Sequence, residues 1–327
     1  MSEAPVANES KIEISSLAAP HQKAKQRTLE EIESLNLGNN LLELEVQGFT
    51  ILKGILTESV VERAKQAILK RVEKKTNRKI DPNTASAKDF YGMQYEPYLL
   101  FDDPVFQEIL LEPKPLALMS YLLGEDCILS SMGCHFRGPG GFPLPAHSDT
   151  PENGFLNSQS SPVANCNYAL TDYTQKGGAL VLFPGSHNKQ RQPTAHENWT
   201  VNGMSIVDVL AKNLPAEEID AMEWEMPTGG VVLEIDPGDA VLWHGNSWHA
   251  GYRRDIPGTR INLAAYFCRP FMTTQELRGD KRYPEVFERY ADTPRFAQLL
   301  GENVYNGWRE EGPDFSLRKK ALSQEEK

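Results

Sequence analysis

The sequence predicts a mainly β protein with helical support, folded as a double-layered jelly roll. Seven or eight short apolar runs between residues 127 and 267 are divided by Gly, Pro, Asn and Asp turn signals, the pattern of a sandwich or barrel. The chain ahead of them spaces its apolar residues as helices do, over the turns after Thr57 and over 104–123. At 327 residues, with 40% hydrophobic residues, 24 Gly and 22 Pro, the composition is that of a turn-rich globular protein with a substantial core.

Residues 1–40 are polar with one helical patch at 23–35 and are expected to form a partly disordered extension. Residues 41–275 are read as the β domain and 276–327 as a polar helical tail whose last ten residues fray. Inside the domain, residues 45–52 alternate as a short strand. Thr57 caps a helix carrying Val60, Val61, Ala64, Ala67 and Ile68 on one face, and residues 75–95 make a charged loop. A helical region at 104–123 stops at Gly124. Strands are expected at 127–136, 165–171, 178–183, 231–235, 239–243, 248–252 and 260–267. Residues 150–164, rich in Pro, Asn, Ser and Gly, form a candidate lid, and residues 194–228 read as an insertion with helices at 206–213 and 216–224 over one mouth of the sheet. The turn at Asp255, Ile256, Pro257 and Gly258 predicts a hairpin that brings His249 and Arg260 onto neighbouring strands of one concave face.

Composition also excludes partners. A net charge of −11, with no long run of Lys or Arg, argues against a nucleic-acid surface. No stretch reaches the roughly 20 apolar residues of a membrane span, and the N-terminus lacks the basic and apolar segments of a secretory signal, so a cytoplasmic location is expected. Asn8 and Asn198 match the glycosylation pattern, which has no meaning without that signal. Cys127, Cys134, Cys166 and Cys268 are too scattered for a disulfide framework or zinc ribbon and are expected to be buried thiols. Oligomeric state is not legible.

Alternation along a strand points His147 and Asp149 to one side and Ser148 to the other. With His249 as a second imidazole, the set would leave the opposite half of a metal's coordination sphere open, the arrangement suited to non-heme Fe(II) oxygen chemistry. The His-x-acid pair is weak by itself, since 7 His and an acidic fraction of 45/327 predict about one chance match. Its weight comes from the conjunction: a Pro-Gly loop before His147, a distal histidine on a strand about a hundred residues later, and an arginine eleven residues beyond it.

These residues resemble the phytanoyl-CoA dioxygenase-like family of Fe(II)/2-oxoglutarate-dependent oxygenases. The likeness rests on Leu144 through Asp149, on Gly177 through His187, and on Gly238 through Gly245 leading to His249 and Arg260, and it spans about residues 42–270. It implies a double-stranded β-helix of cupin-like form. It implies Fe(II) held by His147, Asp149 and His249, with 2-oxoglutarate and O2 as cosubstrates, His244 being left as a strand-end histidine. It assigns Arg260 to the far carboxylate of 2-oxoglutarate, which a guanidinium grips bidentately. Asn262 would add a hydrogen bond there or serve the structure, and Tyr168 would line the cosubstrate site or pack in the core.

The implied reaction is oxidation of a C–H bond of a small organic substrate, hydroxylation first, with release of succinate and carbon dioxide. Asp149 stands where related halogenases have a small residue, which favours hydroxylation over halogenation, while desaturation, cyclisation and epimerisation use the same ligands. A cupin-like isomerase or hydrolase with another metal and no 2-oxoglutarate is the alternative, and Arg260 speaks against it. His135 and Arg137, on the strand before the loop, are the candidate substrate contacts, and Arg253 and Arg254 could meet an anionic group.

Overall fold

The structure is a computed structural model and describes residues 15–86, 89, 95–151, 160–276, 283–301, 308–309 and 312–313. The chain begins with α1 (Ser15–Ser34) and α2 (Gly38–Gln47), then β1 (Phe49–Leu52) and α3 (Glu58–Thr76). After β2 (Tyr95–Glu96) come α4 (Pro104–Leu110) and α5 (Pro113–Leu123). The strands β3 (Ile128–Arg137), β4 (Leu144–His147), β5 (Val163–Ala169) and β6 (Leu180–Leu182) follow. A small excursion holds β7 (Thr200–Val201), β8 (Met204–Ser205), α6 (Ile206–Leu210) and α7 (Ala216–Asp220). The chain then returns through β9 (Val231–Leu233), β10 (Ala240–His244), β11 (His249–Gly251) and β12 (Arg260–Cys268) to α8 (Pro284–Arg289), α9 (Pro294–Leu299) and the short pair β13 (Trp308–Arg309) and β14 (Gly312–Pro313).

Two antiparallel sheets face each other. The larger has the order β1-β10-β5-β12-β3-β2 and the smaller β4-β11-β6-β9. Phe49, Tyr173, Leu180, Leu182, Leu233, Ile235, Val241 and Trp243 fill the space between them at one end. The outer face of the large sheet, with Cys134, Phe136, Cys166, Leu242, Leu263 and Phe267, packs against the helices through residues such as Ile68, Phe106, Leu118, Val286 and Phe296. Each fully buried side chain of this size contributes about 1.5–3 kcal/mol over its exposed state. Trp199 and Ile206 cover Val181, Trp248 and Ala250 on the outer face of the small sheet, so the 194–228 segment shields that face. A jelly roll backed by helices is therefore the observed architecture, and all four cysteines are buried thiols. No helix among the described residues is long and apolar enough to cross a membrane.

Several local expectations are corrected. The run 45–52 is not one strand: α2 continues to Gln47, Gly48 turns the chain at φ +86°, and β1 starts at Phe49. Leu44 is the buried anchor of that helix, and the apparent alternation was its last turn. The helical region 104–123 is split, because Pro113 has no N–H to continue α4 and instead starts α5. Thr57 caps α3 as read, accepting the Val60 N–H at 3.4 Å. The helical patch at 23–35 belongs to α1, which packs on α5. Of the lid segment, residues 152–159 lie outside the described residues, as do 1–14 and 314–327.

The expected hairpin between His249 and Arg260 does not form. β11 pairs with β4 and β6 in the small sheet, whereas β12 pairs with β3 and β5 in the large one. Residues 252–259 carry the chain across, with Arg254 bridging to Pro139, Gly140 and Gly177 and Gly258 at φ +83°. His249 and Arg260 thus come from opposite layers.

Gly48 is a tight joint between α2 and β1. Its left-handed conformation suits glycine, and a Cβ there would overlap His187 Nδ1 and Ser247 Oγ, while its carbonyl accepts from Ser247 Oγ at 2.8 Å. Gly48→Ala is expected to lower the unfolding free energy by about 2 kcal/mol in chemical denaturation; an unchanged midpoint would show that this joint yields freely.

Candidate metal centre

The open end of the sandwich is a cavity of about 500 Å³ whose lining includes His147 and His249 from the small sheet and Asn165, Asn167, Trp243, Arg260 and Asn262 from the large one. Near its base, His147, Asp149 and His249 offer one ligand atom each within 4.8 Å of one another. Cross-strand pairing of His147 with His249 brings the two imidazoles together, their ring centroids 4.2 Å apart. Their Nε2 atoms lie 3.9 and 3.8 Å from Asp149 Oδ1.

The remaining polar atoms of the three side chains are committed elsewhere. His147 Nδ1 is 2.8 Å from the Pro145 carbonyl and His249 Nδ1 is 3.4 Å from the Ser247 carbonyl, which places a proton on each Nδ1 and leaves Nε2 as the lone-pair donor. Asp149 Oδ2 accepts from Asn165 Nδ2 at 2.8 Å and from Trp243 Nε1 at 3.0 Å, so Oδ1 is the oxygen left over. The Asp149 main chain is pinned as well, its N–H to the Gly245 carbonyl and its carbonyl to the Tyr266 hydroxyl. Burial raises the Asp149 pKa, but the His249 and His147 imidazoles and the bonds from Asn165 and Trp243 outweigh it and keep the carboxylate ionised. Burial holds His249 well below the usual imidazole range and hence neutral, against the pull of Asp149. Two imidazole Nε2 atoms and one anionic oxygen, each oriented by a second hydrogen bond, are a donor set that fits a divalent first-row metal with coordination positions to spare.

Arg260 lies in the same cavity. Its guanidinium stacks 4.5 Å over the Tyr173 ring and donates through Nη1 to the Gly178 carbonyl, while Nε, though buried, has no partner. Asn262 is nearly fully buried, lines the cavity and leaves Oδ1 unpartnered. His135 faces the same space beside the Tyr95 ring, at 4.6 Å between centroids. His135 is exposed to the open cavity, and the protein atoms around it, then the charge of Arg260, lower its pKa.

Two expected residues are elsewhere. Tyr168 is on β5, but alternation turns it with Cys166 into the helical core, where its hydroxyl meets the Ile109 carbonyl at 3.4 Å; Asn165 and Asn167 are the β5 residues that face the cavity. Arg137 is absent from the cavity lining because its guanidinium turns to the Phe142 carbonyl; burial, then the neighbouring Arg260, lower its pKa to about 10. Arg253 is tied to Asp255 and the Ile219 and Asp220 carbonyls, and Arg254 to the Gly177 and Pro257 carbonyls. His244 accepts the Asn246 N–H and lies beside His187, away from the three ligands, and Ser186 is spent on Phe183 and Trp248 as a turn residue.

Sequence reasoning missed Asn165, Trp243, Tyr266 and Tyr173. The polar-apolar alternation Asn165, Cys166, Asn167, Tyr168 was a usable signal for the first: it marks the asparagine face as the one turned from the core.

Comparison with known proteins follows the same line. The profile of the family described as Phytanoyl-CoA dioxygenase (PhyH) matches residues 44–260. Dioxygenase af480 of Aspergillus fumigatus is 25% identical over 277 residues, 82% of this chain and 77% of that protein. Methylphosphonate hydroxylase of Gimesia maris is 25% identical over 206 residues, 62% of this chain and 65% of that protein. The crystal structure of HygX from Streptomyces hygroscopicus with nickel and 2-oxoglutarate bound superposes with a TM-score of 0.52 at 18% identity, over 73% of this chain and 89% of that one, a likeness of fold.

Losing one of the two donors to Asp149 Oδ2 should loosen the ligand oxygen while sparing the fold. Trp243→Phe is expected to weaken divalent-metal binding by about tenfold in a calorimetric titration; unaltered affinity would mean that the carboxylate needs no such support.

Proposed function

Because the chain belongs to the phytanoyl-CoA dioxygenase (PhyH) family, Fe(II)/2-oxoglutarate-dependent oxygenases, we propose that it hydroxylates a C–H bond of a small organic molecule, releasing succinate and carbon dioxide. The observation that carries the reading is the convergence of His147 Nε2, His249 Nε2 and Asp149 Oδ1 at the base of a cavity that Arg260 also lines. With Fe(II), 2-oxoglutarate and O2 bound, the site would supply an oxidant strong enough to break an unactivated C–H bond.

Each side chain then has a task. His147, Asp149 and His249 hold the metal by one atom each, their second polar atoms being fastened by Pro145, Asn165, Trp243 and Ser247. Arg260 takes the far carboxylate of the cosubstrate, a pairing favoured by a permanent charge in a partly enclosed wall and by the unpartnered Nε. Asn262, on the same face two residues on, contributes its amide. His135, neutral and next to Asn262 across the strand pair, can meet the substrate with a hydrogen bond that does not change the charge of the site. About 500 Å³ suits a small molecule. A compartment inside the cell fits a ligand set that needs reduced iron.

The test is anaerobic titration with Fe(II) and 2-oxoglutarate, where a visible charge-transfer band marks the chelate, followed by succinate release across a metabolite panel. Product carrying one added oxygen atom supports hydroxylation, and product lacking two hydrogens would replace it with desaturation. Arg260→Ala is expected to raise the 2-oxoglutarate concentration needed for half-maximal succinate release by roughly a hundredfold, with Arg260→Lys recovering only part because an ammonium cannot make the paired contact. An unchanged cosubstrate requirement in Arg260→Ala would remove Arg260 from that role.

A further inference from the structure

Tyr98 adopts a backbone conformation that bulky residues avoid. Its φ is +61°, whereas the other non-glycine residues with positive φ among those described are Gln190 and the asparagines Asn36, Asn77, Asn202 and Asn213, the latter a type that tolerates it better. The strain is over-determined. The buried Glu276 carboxylate accepts the Tyr98 N–H at 2.6 Å and the Met132 N–H at 3.3 Å. From the other side Arg71 donates to the Tyr98 carbonyl at 3.1 Å and the Pro97 carbonyl at 2.8 Å. A conformation maintained at this expense points to what it places.

What it places is an uncovered aromatic on the metal cavity. Tyr98 lines that cavity and is 46% exposed, and Leu144, from the opposite sheet, lines it and is 41% exposed. The same lining is polar at Tyr95, Ser131, Asn167 and Gln275. Asn167 Oδ1 is buried there without a partner, an acceptor awaiting a donor.

We propose that Tyr98 is a specificity-determining residue and that the substrate is a ring-bearing alcohol, its ring packed between Tyr98 and Leu144 and its hydroxyl donating to Asn167. Glu276 and Arg71 are positioning residues that fix the Tyr98 backbone. This rests on the oxygenase reading for the chemistry but not for the binding, and the two can be separated.

The probe is 2-naphthol, titrated calorimetrically under anaerobic conditions into the full chain, both metal-free and loaded with Fe(II) and 2-oxoglutarate. Wild type and Tyr98→Phe should bind it equally, and Tyr98→Asn, which keeps the turn but removes the ring, about tenfold more weakly. Tyr98→Asn should also melt no lower than wild type, because asparagine accepts the turn, whereas a merely structural tyrosine would lower the melting temperature when removed. Equal binding by Tyr98→Asn, loss of binding in Tyr98→Phe, an earlier melt of Tyr98→Asn, or no binding to wild type would each overturn the proposal. Tyr98-dependent binding to the metal-free chain without any chelate band would instead overturn the iron reading alone.

Discussion

The structure turns on one carboxylate. Asp149 follows a strand of the small sheet, yet its Oδ2 is fastened by Asn165 and Trp243 from the large one, and its main chain by Gly245 and Tyr266. An ionised group this deep is tolerable only when its partners replace water. Here the same contacts that compensate its burial also join the two layers at the point where the imidazoles arrive. Fold and site are therefore not separable at this position: the sandwich closes on the residue that orients its ligands.

Much of this was legible in advance. The number and spacing of apolar runs disclosed the sandwich, and strand alternation put His147 and Asp149 on one side, while the choice of His249 and Arg260 leaned on the family resemblance. The failures share a cause: short-range patterns do not reveal which sheet a strand joins. His249 and Arg260 looked like hairpin partners because eleven residues with a Pro-Gly turn make an ordinary hairpin, and only tertiary packing sends β12 across to the other layer. For Tyr168 the cosubstrate wall and the core were both open, and the structure places it in the core. The local alternation around it favours the core, since Asn165 and Asn167 cannot both face an apolar helical core.

Arginines were the least legible residues. Arg137, Arg253 and Arg254 look alike in sequence as candidate anion partners, and all three are consumed by main-chain carbonyls or a nearby carboxylate that hold the loops around the cavity. Arg260 differs by lining the cavity, where its guanidinium rests on the Tyr173 ring. Whether a guanidinium is structural or available depends on which space the fold turns it into, which no one-dimensional pattern records.

The crossing at residues 252–259 has a further meaning. Since His147 and His249 belong to one layer and Arg260 to the other, the span between them is fixed by the spacing of two packed sheets and not by how many residues join β11 to β12. That connection could be lengthened, shortened or rewritten, and with it the outer contour of the enzyme, while the distance across the cavity stays the same.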